Sequence, residues 1–102
     1  MVDLWLNTEL SSAVLESVSS KVHAKLTVLK EFRYEYKPIG ETWVFVLSES
    51  HCVVHTYPEN RYLSVDLYVC NLEFDIEAFI DDVVNMLDVE HVNRKVTDRG
   101  VR

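Results

Sequence analysis

The chain has 102 residues, 48% of them hydrophobic and 26% charged, with a formal net charge of -7. That length supports one domain with a small core. The acidic balance argues against nucleic acid and anionic membranes as partners but tolerates a cationic small molecule, and no apolar run reaches the roughly 18 residues of a membrane span. With no signal-type segment ahead of Asp3 and only two cysteines, Cys52 and Cys70, the expected setting is cytoplasmic with both thiols free.

Val2 to Leu6 alternates like a short strand, and Thr8 can cap a following helix with Glu9 in its first turn. Leu10, Val14, Leu15, Val18 and Val22 then fall on one helical face, although the serines among them lower the intrinsic propensity, so packing must hold this helix. From Leu26 to Tyr36 the period becomes two, with Phe32, Tyr34 and Tyr36 opposite Glu31, Arg33 and Glu35, which predicts a half-buried strand. Lys37-Pro38-Ile39-Gly40 interrupts it. Trp43 to Leu47 is continuously apolar, as for a central strand buried on both faces.

Beyond Ser48-Glu49-Ser50, a strand carries His51, Val53, His55 and Tyr57 on one face. Pro58 to Arg61 forms the bend of a hairpin, and Tyr62 to Cys70 alternates with Ser64, Asp66, Tyr68 and Cys70 on a polar face that can line a site. Positions 50 and 70 are symmetric about Asn60, so the Ser50 hydroxyl and the Cys70 thiol are expected near each other. Asp75 caps a second helix whose stripe is Ile76, Phe79, Ile80, Val83 and Leu87, and Val89 to Thr97 reads as a last edge strand. The order of one strand, one helix, four strands, one helix and one strand predicts a single α+β domain, a two-layer α/β sandwich with a mostly antiparallel sheet and both helices on one face.

Taken singly, the reactive groups have ordinary readings. Ser50 is a turn serine without a G-x-S-x-G elbow, His55 a strand histidine, Cys70 a buried thiol, Tyr36 and Tyr57 core fillers, and Glu59 a solvated loop residue. Zinc is not expected, because His51 and His55 lie about 13 Å apart on a strand that rises about 3.3 Å per residue.

Together they carry more. Gly40-x-Thr42, Ser48-Glu49-Ser50-His51, His55-Thr56-Tyr57-Pro58-Glu59 and Asp66 to Cys70 make a pattern that resembles the bacterial and archaeal type of S-adenosylmethionine decarboxylase, a self-cleaving enzyme. The resemblance implies a break between Glu49 and Ser50, giving pieces 1–49 and 50–102. The Ser50 hydroxyl attacks the Glu49 carbonyl to form an ester; elimination then leaves a dehydroalanine that hydrolyses to a pyruvoyl group. It implies that His55 takes the proton during elimination, a task suited to a group with an unperturbed pKa near ~6.5, and that Thr42 assists where the family commonly has serine. Cys70 becomes the proton donor to the substrate carbon, Tyr36 and Tyr57 hold the adenine where phenylalanine and tryptophan are usual, and Glu59 binds the ribose hydroxyls.

The pyruvoyl keto group implied at Ser50 replaces pyridoxal phosphate as acceptor of the electron pair released with carbon dioxide, and no metal is required. The expected substrate is S-adenosylmethionine, in the service of spermidine synthesis, and the expected assembly is a homodimer of cleaved protomers with sites at the interface. Two other readings remain at this point: a pyruvoyl-dependent arginine or ornithine decarboxylase, and a non-catalytic regulatory relative.

Overall fold

A computed structural model of the chain describes residues 1–48, 50–69 and 74–96. Its elements run β1 (Val2–Leu6), α1 (Ser12–Lys25), β2 (Val28–Glu35), β3 (Glu41–Leu47), β4 (His51–Tyr57), a 3-10 turn (Pro58–Asn60), β5 (Tyr62–Tyr68), α2 (Ile76–Met86) and β6 (Val89–Arg94). The six strands form one sheet in the order β2-β3-β4-β5-β1-β6, every neighbouring pair antiparallel. Both helices cover the same face, so the fold is the expected two-layer α+β sandwich.

Alternation builds the core. Leu4, Leu6, Phe45, Cys52, Val54 and Leu63 point from the strands into the layer where Val18 and Val22 of α1 and Val83 of α2 meet them, and all of these are fully buried. Burying each such aliphatic side chain contributes roughly 1.5–3 kcal/mol. The α2 stripe is realised through buried Phe79, Ile80 and Val83, and the Asp75 carboxylate caps the helix by accepting from the Ala78 amide at 3.0 Å.

Three local expectations are corrected. Helix α1 begins at Ser12 after an Ser11 N-cap rather than at Thr8. The backbone just before it is committed elsewhere: the Asn7 amide donates to Asp88 O at 2.9 Å, and Leu10 enters the core ahead of the first helical turn. Strand β3 is buried on one face only, through Trp43, Phe45 and Leu47, while Val46 on the other is 37% exposed. Its apolar run reflects a bare sheet face rather than a covered one.

Strand β2 reverses the expected polarity. Its aromatic side is open, with Tyr34 62% exposed, and its charged side faces the helix layer. There Glu31 meets His23 Nε2 at 3.1 Å and Arg33 Nε at 2.9 Å, and the Arg33 guanidinium lies 3.7 Å from the centre of the Trp43 ring. Burial pushes the Glu31 carboxyl up, but the hydrogen bonds and charges of His23 and Arg33 outweigh it and hold the carboxyl below its usual value. Among the described residues no helix is long and apolar enough to cross a membrane.

The core also contains Cys52, whose thiol is pushed up to about 12, first by burial and then by the Asp66 charge. Because the unfolded thiol ionises near 9.0, the unfolded state binds fewer protons between these values, so stability should fall as pH rises above 9. Below that range the thiol is protonated in both states and its titration adds no pH dependence. At pH 9, peptide mapping after iodoacetamide treatment should show Cys52 labelled at least about a hundredfold more slowly in the native chain than in denaturant. Equal rates would mean the thiol is open to solvent.

Candidate active site

The uncovered sheet face carries the reactive side chains. In the β3–β4 ladder Thr42 lies opposite His55, and in the β4–β5 ladder His55 lies opposite Ser64. Thr42 Oγ1 is 2.9 Å from His55 Nδ1 and 3.0 Å from the Tyr36 hydroxyl, so a phenol, an alcohol and an imidazole form one hydrogen-bonded chain. Tyr36 reaches it from the end of β2, where its amide donates to Gly40 O at 2.8 Å and closes the β2–β3 turn. Gly40 has φ +108°, a left-handed value that glycine adopts without strain.

A buried latch beneath this chain escapes sequence reasoning. Thr56 Oγ1 accepts from the Glu41 amide at 2.8 Å and donates to Glu41 O at 3.3 Å, while the Glu41 carboxylate takes the Trp43 indole N–H at 2.7 Å. The available signal is a single threonine on the core face of an otherwise apolar alternation in β4.

The aromatic candidates are both open, with Tyr36 48% and Tyr57 43% exposed. Tyr57 stacks on Tyr62 at 5.2 Å, Tyr62 on Trp5 at 4.9 Å, and His91 follows Trp5 at 5.2 Å. One face of Tyr57 is therefore occupied. Gly40 presents no side chain here, and a Cβ on it would lie 3.9 Å from the Tyr36 ring and 4.0 Å from Pro58 Cδ. Tyr62 donates to Asp3 Oδ1 at 2.7 Å, and burial followed by this carboxylate raises its phenol. Glu59 is exposed on the 3-10 turn.

Ser50 lies in the β3–β4 connection, part-buried, with its carbonyl accepting from the Leu47 amide at 2.9 Å. It immediately precedes His51, and His55 lies about 13 Å further along the strand at about 3.3 Å per residue. The structure thus brings Tyr36, Thr42 and His55 together but leaves Ser50 beyond their reach within one chain. The β4–β5 hairpin pairs Tyr57 with Tyr62 and His51 with Tyr68, so its centre falls between Glu59 and Asn60 rather than on Asn60. Glu49 and Cys70 lie outside the described residues. Among the described residues no three His, Cys, Asp or Glu side chains gather to hold a metal ion.

A family model described as S-adenosylmethionine decarboxylase matches residues 4–100. The chain is 32% identical over 106 aligned positions to S-adenosylmethionine decarboxylase proenzyme 2 of Bacillus cereus, covering 99% of this chain and 86% of that protein. It is 36% identical over 77 residues to the S-adenosylmethionine decarboxylase proenzyme of a Hydrogenobaculum species, covering 76% of this chain and 58% of that one. Against the latter, the aligned part of the chain spans little more than half the relative's length. The crystal structure of the adenosylmethionine decarboxylase from Aquifex aeolicus superposes with a TM-score of 0.72 over 99% of this chain and 92% of that chain, at 22% identity. That likeness is one of fold.

Gly40 gives the local geometry a direct test. A Cβ there would stand 3.3 Å from Thr56 O on a backbone held at φ +108°. Gly40→Ala should therefore lower stability by about 1–3 kcal/mol, seen as a lower urea midpoint. A neutral or stabilising substitution would show that the turn relaxes freely.

Proposed function

The chain belongs to the S-adenosylmethionine decarboxylase family, and on that premise we propose that it is a self-processing, pyruvoyl-dependent decarboxylase of S-adenosylmethionine that supplies spermidine synthesis. The observation that carries this reading is the hydrogen bond between Thr42 and His55 on the bare sheet face. It holds a proton acceptor in one orientation beside open aromatic rings. The matching relatives are themselves named proenzymes.

The processing step is this chain's own chemistry. The Ser50 hydroxyl attacks the Glu49 carbonyl and the Glu49-Ser50 amide becomes an ester, with Thr42 supporting the intermediate. His55 then removes the serine α-proton, the ester leaves as the carboxylate of Glu49, and hydrolysis of the resulting dehydroalanine releases ammonia. The residues present fit a pyruvoyl group made this way, since its precursor hydroxyl stands in a connection outside the strand ladder. Backbone rearrangement there does not have to break the sheet. Once formed, the pyruvoyl group supplies a keto carbon that takes up the substrate amine and accepts the electrons released with carbon dioxide.

Because His55 lies about 13 Å beyond His51 along β4, it serves not its own Ser50 but the partner subunit's Ser50. The bare sheet face is the surface that makes this possible. Phe32, Tyr34, Val46 and Tyr57 are all exposed on it, an apolar area of the kind that marks an interface. A homodimer of cleaved protomers stacked on this face sets each Thr42–His55 pair against the other chain's cleavage site.

In this reading Tyr36 and Tyr57 flank the space above Gly40 and hold the adenine between them, and Glu59 accepts from the ribose hydroxyls. Cys70 donates a proton to the substrate carbon after carbon dioxide leaves. The net charge of -7 suits a sulfonium substrate. A cytoplasmic location keeps Cys70 reduced for this task.

Denaturing mass spectrometry tests the processing step: wild-type protein should give pieces 1–49 and 50–102, the second blocked to Edman sequencing, while Ser50→Ala and His55→Ala remain intact or stall at a hydroxylamine-sensitive ester. Co-refolding those two variants should restore cleavage of the His55→Ala chain at Ser50, because the Ser50→Ala chain supplies the missing imidazole. No rescue in mixed dimers would reject catalysis between subunits, and an intact wild-type chain that still decarboxylates S-adenosylmethionine would sink the pyruvoyl mechanism. For Cys70→Ala, cleavage should persist while carbon dioxide release falls at least about tenfold. Normal turnover by that variant would remove Cys70 from the chemistry.

A further inference from the structure

Thr42 Oγ1 stands between two partners, Tyr36 Oη at 3.0 Å and His55 Nδ1 at 2.9 Å. A threonine hydroxyl has one proton, so it can donate to only one of them. If it donates to His55, Nδ1 is bare and the ring proton sits on Nε2. If it donates to Tyr36, then His55 Nδ1–H donates to Thr42 and Nε2 carries a free lone pair. Only the second arrangement leaves Nε2 able to take a proton.

We propose that Tyr36 is, through its hydroxyl, a positioning residue that selects the His55 tautomer with a bare Nε2; the inference rests on the reading of His55 as the base that processes Ser50. The phenol oxygen gives the Thr42 proton somewhere to go other than the imidazole. Tyr36 is 48% exposed in the single chain, and in this direction the hydrogen bonds run from a part-buried ring to a hydroxyl on the open face. In the reverse direction the His55 Nε2–H would have no protein partner among the described residues. The same side chain thus has two separate duties: its ring faces the adenosyl group, and its oxygen sets the proton on a histidine two strands away.

Spectroscopy of the His55 ring and cleavage kinetics separate those duties. In full-length Ser50→Ala protein labelled with 15N-histidine, long-range proton–nitrogen spectra of neutral His55 should show the Nδ1–H tautomer, and adding Tyr36→Phe should turn it mainly to Nε2–H. In a Thr42→Val background, Tyr36→Phe should change nothing further in the His55 signals. In chains that retain Ser50, Tyr36→Phe should slow self-cleavage about tenfold with build-up of the hydroxylamine-sensitive ester, while KM of the cleaved fraction stays within about twofold because the ring is kept. An Nε2–H tautomer in the parent, or one unmoved by Tyr36→Phe, overturns the inference even if the chain cleaves. A parent that never cleaves rejects the role of His55 as base, and the spectra still decide what Tyr36 does to the ring.

Discussion

The antiparallel register of β3 against β4 is the constraint on which the candidate site depends. It sets Thr42 opposite His55, and the same pairing sends Phe45 and Cys52, which are also register partners, into the core. Since side chains alternate with period two, a slip of β4 by one residue would turn Cys52 and Val54 outward and carry His55 to the core face, away from Thr42. Phe45 is fully buried, and losing such a side chain typically costs about 3–5 kcal/mol. The hydrogen bond between Thr42 and His55 need contribute little stability of its own, because apolar packing on the far side of the sheet fixes its geometry.

That division of labour explains why the two faces differ so sharply. At β2 the usual rule is inverted, with Glu31 and Arg33 turned toward the helices and Phe32 and Tyr34 turned away. Exposed ion pairs of this kind contribute on the order of 0–1 kcal/mol, so they do not compensate for leaving aromatic rings in water. The arrangement is intelligible when the outer face is a working surface and the inner edge needs only to be tied to α1. Glu31, held ionised by His23 and Arg33, provides that tie.

Much of this was legible in the chain. The order of elements followed from changes of period, and α2 stood out because its apolar stripe and Asp75 cap agree with each other. The start of α1 was not legible, since Leu10 satisfies a helical spacing while its burial is achieved from the preceding segment. Continuous apolarity in β3 could not distinguish a strand covered on both faces from one with a bare apolar face. At the site, residue types and motif spacing singled out Thr42 and His55, but their contact arises from pairing across a hairpin whose connection contains no strong turn signature. The distance between Ser50 and His55 was available from strand rise alone, by the same arithmetic that separates His51 from His55. What no spacing could supply is the Tyr36 oxygen, because its contact depends on how one side chain leans over the β2–β3 turn.

The strand order has a consequence for any break in the β3–β4 connection. Such a cut would assign β1, β2 and β3 to one piece and β4, β5 and β6 to the other, yet in the sheet they alternate as β2-β3, then β4-β5, then β1, then β6. The two pieces would be interleaved like the fingers of clasped hands, joined along three antiparallel seams, β3 to β4, β5 to β1 and β1 to β6. Neither could leave without taking the shared core apart. A severed chain would therefore persist as one folded body, its new ends free to change chemically while the scaffold around them stays closed.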